Sequence, residues 1–192
     1  MDTSRIVVIL GHPDSDSFTG HLADEYTKAA AAAGRETRVF RLGDMDFDPI
    51  LHHGYRSRQE LEPDLVELRE AILWASHLVF FYPIWWGDMP ALLKGTLDRI
   101  LLPGYAFKYR EDSPLWDRLL AGRSARVFTT MDTPPWYFRW IYRGAGHRVL
   151  RSNILSFCGV KPVKIHSIGP VRKSTPEQRT RWAEKVRSYA SS

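Results

Sequence analysis

Phe80–Arg99 reads FFYPIWWGDMPALLKGTLDR, and its reading decides the fold. An apolar run breaks at Pro83, and two tryptophans and a glycine follow in a short loop. Pro90 then restarts the chain as a helix, at a position where a missing N–H costs little. Leu92, Leu93, Leu97, Ile100 and Leu101 recur at helical spacing and predict an inward face for a helix over Ala91–Leu101. A strand that ends in exposed aromatics and re-enters as a helix is how α/β proteins build ligand sites. Trp85 and Trp86 are adjacent, so their side chains diverge and cannot both turn inward. At least one of them is expected on a ligand or an interface, and Gly87 allows close backbone approach.

Upstream, His77–Tyr82 is the strand that feeds this loop, and Leu65–Trp74 repeats apolar residues at helical spacing. Arg5–Leu10 (RIVVIL) is a short β-branched run typical of a strand covered on both faces. Asp14, Ser15, Asp16 and Ser17 offer helix caps ahead of a helix over Leu22–Ala33, closed by Gly34. Thr37–Leu42 carries more charge and predicts an edge strand. Downstream, Tyr105–Tyr109 alternates like a short ribbon, and Ala125–Met131 and Pro162–Ile168 read as further strands. A helical stretch runs to Phe157, and Thr175–Tyr189 is a last helix with a Thr-Pro-Glu start. Five strands alternating with helices predict a single α/β domain over residues 1–192: a doubly wound parallel sheet of order 2-1-3-4-5. Its ligand then belongs where the order reverses, beyond the carboxyl ends of strands one and three, at His12–Thr19 and Pro83–Met89.

The composition agrees with a soluble domain. At 192 residues, 44% hydrophobic and 26% charged, the chain is long enough for a sizeable core. Seven Trp, eight Tyr and nine Phe exceed what such a core needs. One cysteine, Cys158, excludes an internal disulfide, fits a cytoplasmic setting and reads as a small core residue. No apolar run approaches a membrane span, and no signal peptide is visible. The net charge of +5 suits anionic ligands without choosing among them.

The first loop, GHPDSDSFTG, is neither a dinucleotide fingerprint nor a Walker loop. It does bring Ser17 and Thr19 hydroxyls to the free N–H groups of a helix start, which is an anion site; the plainer reading is that Ser17 only caps the helix. The fourth-strand end, Thr129-Thr130-Met131-Asp132-Thr133-Pro134-Pro135-Trp136-Tyr137, adds backbone donors, a carboxylate and a phenol to the same rim. A phosphate grip, a planar aromatic seat and donors along one side are what a flavin requires.

His12-Pro13 with Ser17-Phe18, then Phe47-Asp48-Pro49, then Pro83, Trp86 and Pro90-Ala91-x-Leu93-Lys94-Gly95 with Asp98-Arg99 recur in order. Tyr105-Ala106-Phe107, Thr129-Thr130 and Phe157-Cys158-Gly159 complete the series. The chain thereby resembles the NAD(P)H:quinone oxidoreductase family of DT-diaphorase-like flavoproteins, which have a flavodoxin-like fold. The resemblance implies a homodimeric, cytoplasmic enzyme that holds FAD or FMN and moves hydride from NAD(P)H to a quinone-like acceptor in a ping-pong cycle. It places His12, Ser17, Phe18 and Thr19 at the flavin phosphate, with Thr19 where relatives often have Asn. Pro83, Ile84, Trp85, Trp86 and Gly87 would line the ring, and Thr129, Thr130, Met131 and Asp132 its pyrimidine end. Tyr137 would face the ring's O2. Phe107, Tyr109 and Phe157, with Trp86 and Trp136, would shape the substrate pocket, partly from a second subunit.

Two departures stand out. Met131-Asp132 replaces a Gly-Gly pair, and Arg143 stands where mammalian relatives have a relay histidine. Arginine can stabilise an anionic ring as a fixed cation but cannot shuttle protons at neutral pH. His147 lies too far along to match. These changes also motivate the competing reading of a flavin-binding regulatory subunit with little turnover; a flavodoxin-like electron carrier would be acidic, unlike this chain. Arginines 139, 143, 148 and 151 lie between aromatics and read as a lid or solvated face rather than a nucleic-acid or membrane patch. Asp44, Asp46, Asp48 and His52-His53 lack ligand spacing, so no metal is expected. No nucleophile elbow exists, and Tyr82-Pro83 occupies the place of a phosphoacceptor aspartate.

Overall fold

A computed structural model describes residues 4–191. Five parallel strands form the central sheet: β1 (Arg5–Leu10), β2 (Glu36–Arg41), β3 (His77–Pro83), β6 (Ser124–Thr130) and β7 (Val163–Ile168). Their order is β2-β1-β3-β6-β7, which is the predicted 2-1-3-4-5 with a small ribbon counted between. The ribbon is β4 (Phe107–Tyr109) paired antiparallel with β5 (Trp116–Arg118). The alternating residues and Phe107 announce β4 in the sequence; the three-residue β5, following Pro114, is too short to show a period.

Side-chain alternation divides the sheet into two faces. Val7, Ile9, Leu78, Phe80 and Tyr82 share one face with α2 (Pro63–Trp74) and α3 (Ala91–Ile100). Ile6, Val8, Leu10, Val79 and Phe81 share the other with α1 (Phe18–Ala32) and α7 (Pro176–Ala190). After β6 comes α4 (Pro135–Trp140). A longer helical passage follows: α5 (Ala145–Arg148), a π-helical turn (Val149–Leu155) and α6 (Ser156–Cys158). Cys158 is buried, as expected of a core thiol, and burial pushes its pKa up to about 11.

Helix α1 starts at Phe18, four residues ahead of the first predicted apolar contact. Ser17 caps it by accepting from the Gly20 N–H at 3.2 Å. Its far end closes as predicted: Gly34 is left-handed at φ +75, and its N–H reaches Ala31. Thr175 and Gln178 form a capping box at the start of α7.

One core feature was not visible in the sequence. Arg99 is fully buried on α3, and its guanidinium holds the Asp48–Glu62 loop. It pairs with the Glu62 carboxylate at 2.7 Å, and also donates to the carbonyls of Asp48 and, at 2.8 Å, Glu60. Glu62 is held below the usual carboxylate range by the arginine against the opposing effect of desolvation.

Candidate flavin site

Chain reversal between β1 and β3 brings three loops to one cavity of about 290 Å³ at the carboxyl ends of the strands. His12, Ser17, Phe18 and Thr19 come from the loop after β1, Pro83, Ile84 and Trp85 from β3, and Thr130, Met131 and Asp132 from β6.

The first loop is built to present donors. The Asp14 N–H donates to His12 Nδ1 at 2.9 Å, so a neutral ring carries its proton on Nε2. Burial lowers the His12 pKa, only partly opposed by Asp14, and so favours that neutral donor. At the helix start, Gly20 and His21 N–H groups are taken by Ser17, whereas those of Phe18 and Thr19 find no acceptor within the helix. The Phe18 ring packs against Trp182 and the Arg179 guanidinium, and Phe18 also lines the cavity. A hydrogen bond of 2.7 Å joins the Thr19 and Thr130 hydroxyls and ties this loop to the end of β6.

The aromatic loop is a two-residue turn. Trp85 and Asp88 exchange backbone hydrogen bonds of 2.9 and 3.0 Å across Trp86 and Gly87, whose φ values are +51 and +85. A left-handed tryptophan is strained, and strain of this kind gathers at functional sites. Trp86 is fully exposed at 106%, while Trp85 is half-exposed and meets the His12 ring edge-on at 5.5 Å. Gly146 of α5 supports the turn from below; a Cβ there would lie 2.6 Å from the Gly87 carbonyl oxygen.

Met131 and Asp132 follow β6 on the cavity wall and leave the cavity open. Met131 is buried, and its N–H already donates to Ile168 at 3.0 Å. Asp132 accepts from the Arg172 N–H at 2.7 Å, so its carboxylate is engaged by the loop after β7. That loop also contributes Val171 to the cavity wall, which sequence reading missed, while Thr133 comes from the β6 loop. Applying the strand-end rule to the fifth strand would have found Val171. Thr129 lies behind the wall, bonded to His147 Nε2 at 3.0 Å. Burial pushes the His147 pKa down to about 4.

The other predicted residues lie elsewhere. Phe107, Tyr109 and Phe157 form an edge-to-face cluster at 5.1 and 5.2 Å, with Trp116 stacked on Phe157 at 4.4 Å. Tyr137 packs between Trp136 and Tyr142 and lines neither the strand-end cavity nor a larger one. Trp136 and Arg143 line the second, larger cavity. Among the described residues there is no cluster of metal-ligating side chains and no helix long and apolar enough to cross a membrane.

This fold and this strand-end cavity define a flavodoxin-like protein. The profile of the flavodoxin-like fold family matches residues 4–191, and the chain belongs to that family. It is 26% identical to a Haemophilus influenzae protein named uncharacterized NAD(P)H oxidoreductase, covering 86% of this chain and 83% of that one. It is 24% identical to ribosyldihydronicotinamide dehydrogenase [quinone] of Rattus norvegicus, over 98% and 93% of the two chains. The solved structure of NAD(P)H:quinone oxidoreductase from Methanothermobacter marburgensis superposes with a TM-score of 0.84. It is 25% identical and covers 99% and 98% of the respective chains. The chain is an oxidoreductase of this family.

Proposed function

We propose that the whole chain acts as one flavin-binding domain that transfers reducing equivalents from NAD(P)H to a quinone-like acceptor. The observation that carries this reading is the convergence of three strand-end loops on one cavity, with open helix N–H groups at one side and an exposed tryptophan turn at another. A bound flavin would supply two-electron chemistry, accepting a hydride from NAD(P)H and, with protons from solvent, reducing a quinone to its hydroquinone. The chain's residues do the holding. His12 Nε2–H, the Phe18 and Thr19 N–H groups and the positive end of α1 attract a phosphate. Trp85 lines the cavity and offers a flat face, the exposed Trp86 stands beside it, and Pro83 and Ile84 complete the floor. The contact of Asp132 with Arg172 directs its charge toward the β7 loop, which removes the main objection to a carboxylate beside an electron-rich ring.

A single seat of this size takes one flat co-substrate at a time, which favours ping-pong kinetics. The roles of Tyr137 and Arg143 rest on the family resemblance. So does a substrate pocket completed by Phe107, Tyr109, Trp136 and Phe157 with a second copy of the chain. The exposed surfaces of Trp86, Trp136, Trp140 and Tyr142 favour such a homodimer, and a buried free thiol suits a cytoplasmic setting. The test is direct: titrate the purified protein with FMN and with FAD, then follow NADH and NADPH oxidation with menadione present. A yellow protein that turns over is expected. Failure to bind either flavin would overturn the proposal.

A further inference from the structure

The larger cavity, about 900 Å³, runs along the free side of β7. The carbonyls of Pro162 and Ile168 accept from Ala125 and Met131 on the β6 side at 2.9 and 3.0 Å. Backbone groups alternate sides in a parallel ladder, so the N–H and C=O of Ile165 and Ser167 point away from β6, into the groove. An uncovered strand edge of this kind is a template for another strand.

The walls on either side have one sign of charge. Helix α7 brings Trp182, Lys185 and Val186; the passage from α4 to the π-helical turn brings Arg139, Arg143, Arg148 and Arg151. No aspartate or glutamate lines the groove. Among the described residues none of these five cations forms an ion pair with a protein carboxylate. His166 also lines the groove, and its buried Nε2 has no partner among the described residues. Burial, reinforced by Arg126, pushes its pKa down to about 4, so the groove's charge at neutral pH comes from arginine and lysine.

We propose that this groove binds an extended, acidic segment of a partner protein, which adds to β7 as a sixth strand. Main-chain pairing with Ile165 and Ser167 would provide affinity. Carboxylates at alternate positions fall on one face of the added strand and would meet Arg148 and Arg151 on that wall, while its other face would lie along Trp182 and Val186 of α7. The site is separate from the proposed flavin cavity, and its test does not depend on turnover.

The probe is a fluorescein-labelled eight-residue peptide of alternating Glu and Val, followed by anisotropy with the full chain. Saturable binding is expected, weakened roughly tenfold by Arg148→Glu with Arg151→Glu and by added salt. Ser167→Pro deletes an outward N–H without removing a ladder bond, and should weaken binding by a similar factor. The same peptide with alternate backbone nitrogens methylated should fail to bind the unmodified protein, which keeps the strand test valid even where Ser167→Pro does not fold. FMN affinity should be unchanged in the charge-reversed protein. No saturable binding would overturn the proposal. Equal binding of the methylated peptide, or competition by pyrophosphate that abolishes all peptide binding, would also overturn it, by showing plain anion capture.

Discussion

The two cavities of this chain differ in what builds them. The smaller one, at the strand ends, is made largely of backbone: open N–H groups at α1, a strained two-residue turn after β3, and a β6 loop pinned by Ile168 and Arg172. The larger one is made of side chains, with arginines and tryptophans projecting over a bare strand edge. Volume would have chosen the wrong one for the chemistry, since the larger cavity lies away from the switch point of the sheet. Topology favours the strand-end cavity for the proposed flavin, and charge favours an acidic occupant for the groove.

The largest expected effect separates the two by acidity. His77, His147 and His166 are each pushed down to about 4, in every case mainly by burial, and two of them border the groove. The unfolded chain therefore binds more protons than the folded one between about pH 6.5 and 4. Stability is full above the unfolded value and is lost as pH falls through that window. Thermal melts should show Tm falling on the order of 10 °C from pH 7 to 4.5. His166→Gln should flatten the slope. A flat profile would mean that these rings, two of them at the groove, are solvated.

A steric probe comes next. A Cβ on Gly20 would sit 2.1 Å from the Ser15 carbonyl oxygen, in rigid backbone rather than a movable side chain. Gly20→Ala should cost about 2 kcal/mol of stability through overpacking. It should lower FMN affinity on the order of 100-fold, because the displaced loop carries the phosphate donors. Peptide binding in the groove should be untouched. Chemical denaturation and flavin titration read the two effects apart, and a loss of both ligands together would collapse the distinction between the sites.

Tyr137→Phe tests a residue that borders neither cavity. The phenol packs among Trp136 and Tyr142 and keeps its place when the hydroxyl goes. If that hydroxyl donates to the reacting ring, kcat should fall about tenfold, the value of one hydrogen bond, with FMN affinity little changed. Unchanged kcat would remove Tyr137 from turnover and leave α4 as a wall of the groove.

The sheet was legible because each strand is a short apolar run, and five alternating βα units most commonly wind as 2-1-3-4-5, the order the fold adopts. The strand-end loops followed from that order. Other features were illegible for separate reasons. Arg99 reads as a surface cation by composition, and only the fold shows it clamping the Asp48–Glu62 loop. Trp86 gives no sign of its left-handed backbone, because Asn or Gly is the usual occupant there. The groove joins segments from Phe128 to Tyr189 that share no motif; the alternation of arginine with aromatics was its one visible trace.

The smallest effect addresses the oldest ambiguity, whether Ser17 only caps α1 or also serves the ligand. Its side chain accepts from Gly20 at 3.2 Å and lines the strand-end cavity, so geometry allows both roles. Glycine is a tolerable cap, and Ser17→Gly should cost only a few tenths of a kcal/mol. A cap-only serine would leave FMN affinity unchanged within error. A serine that also donates its hydroxyl proton to phosphate would give up one hydrogen bond, lowering affinity roughly fivefold at nearly constant stability. The fivefold loss is expected, because the hydroxyl that accepts from Gly20 still has its own proton to give, and the cavity wall is where that proton can point.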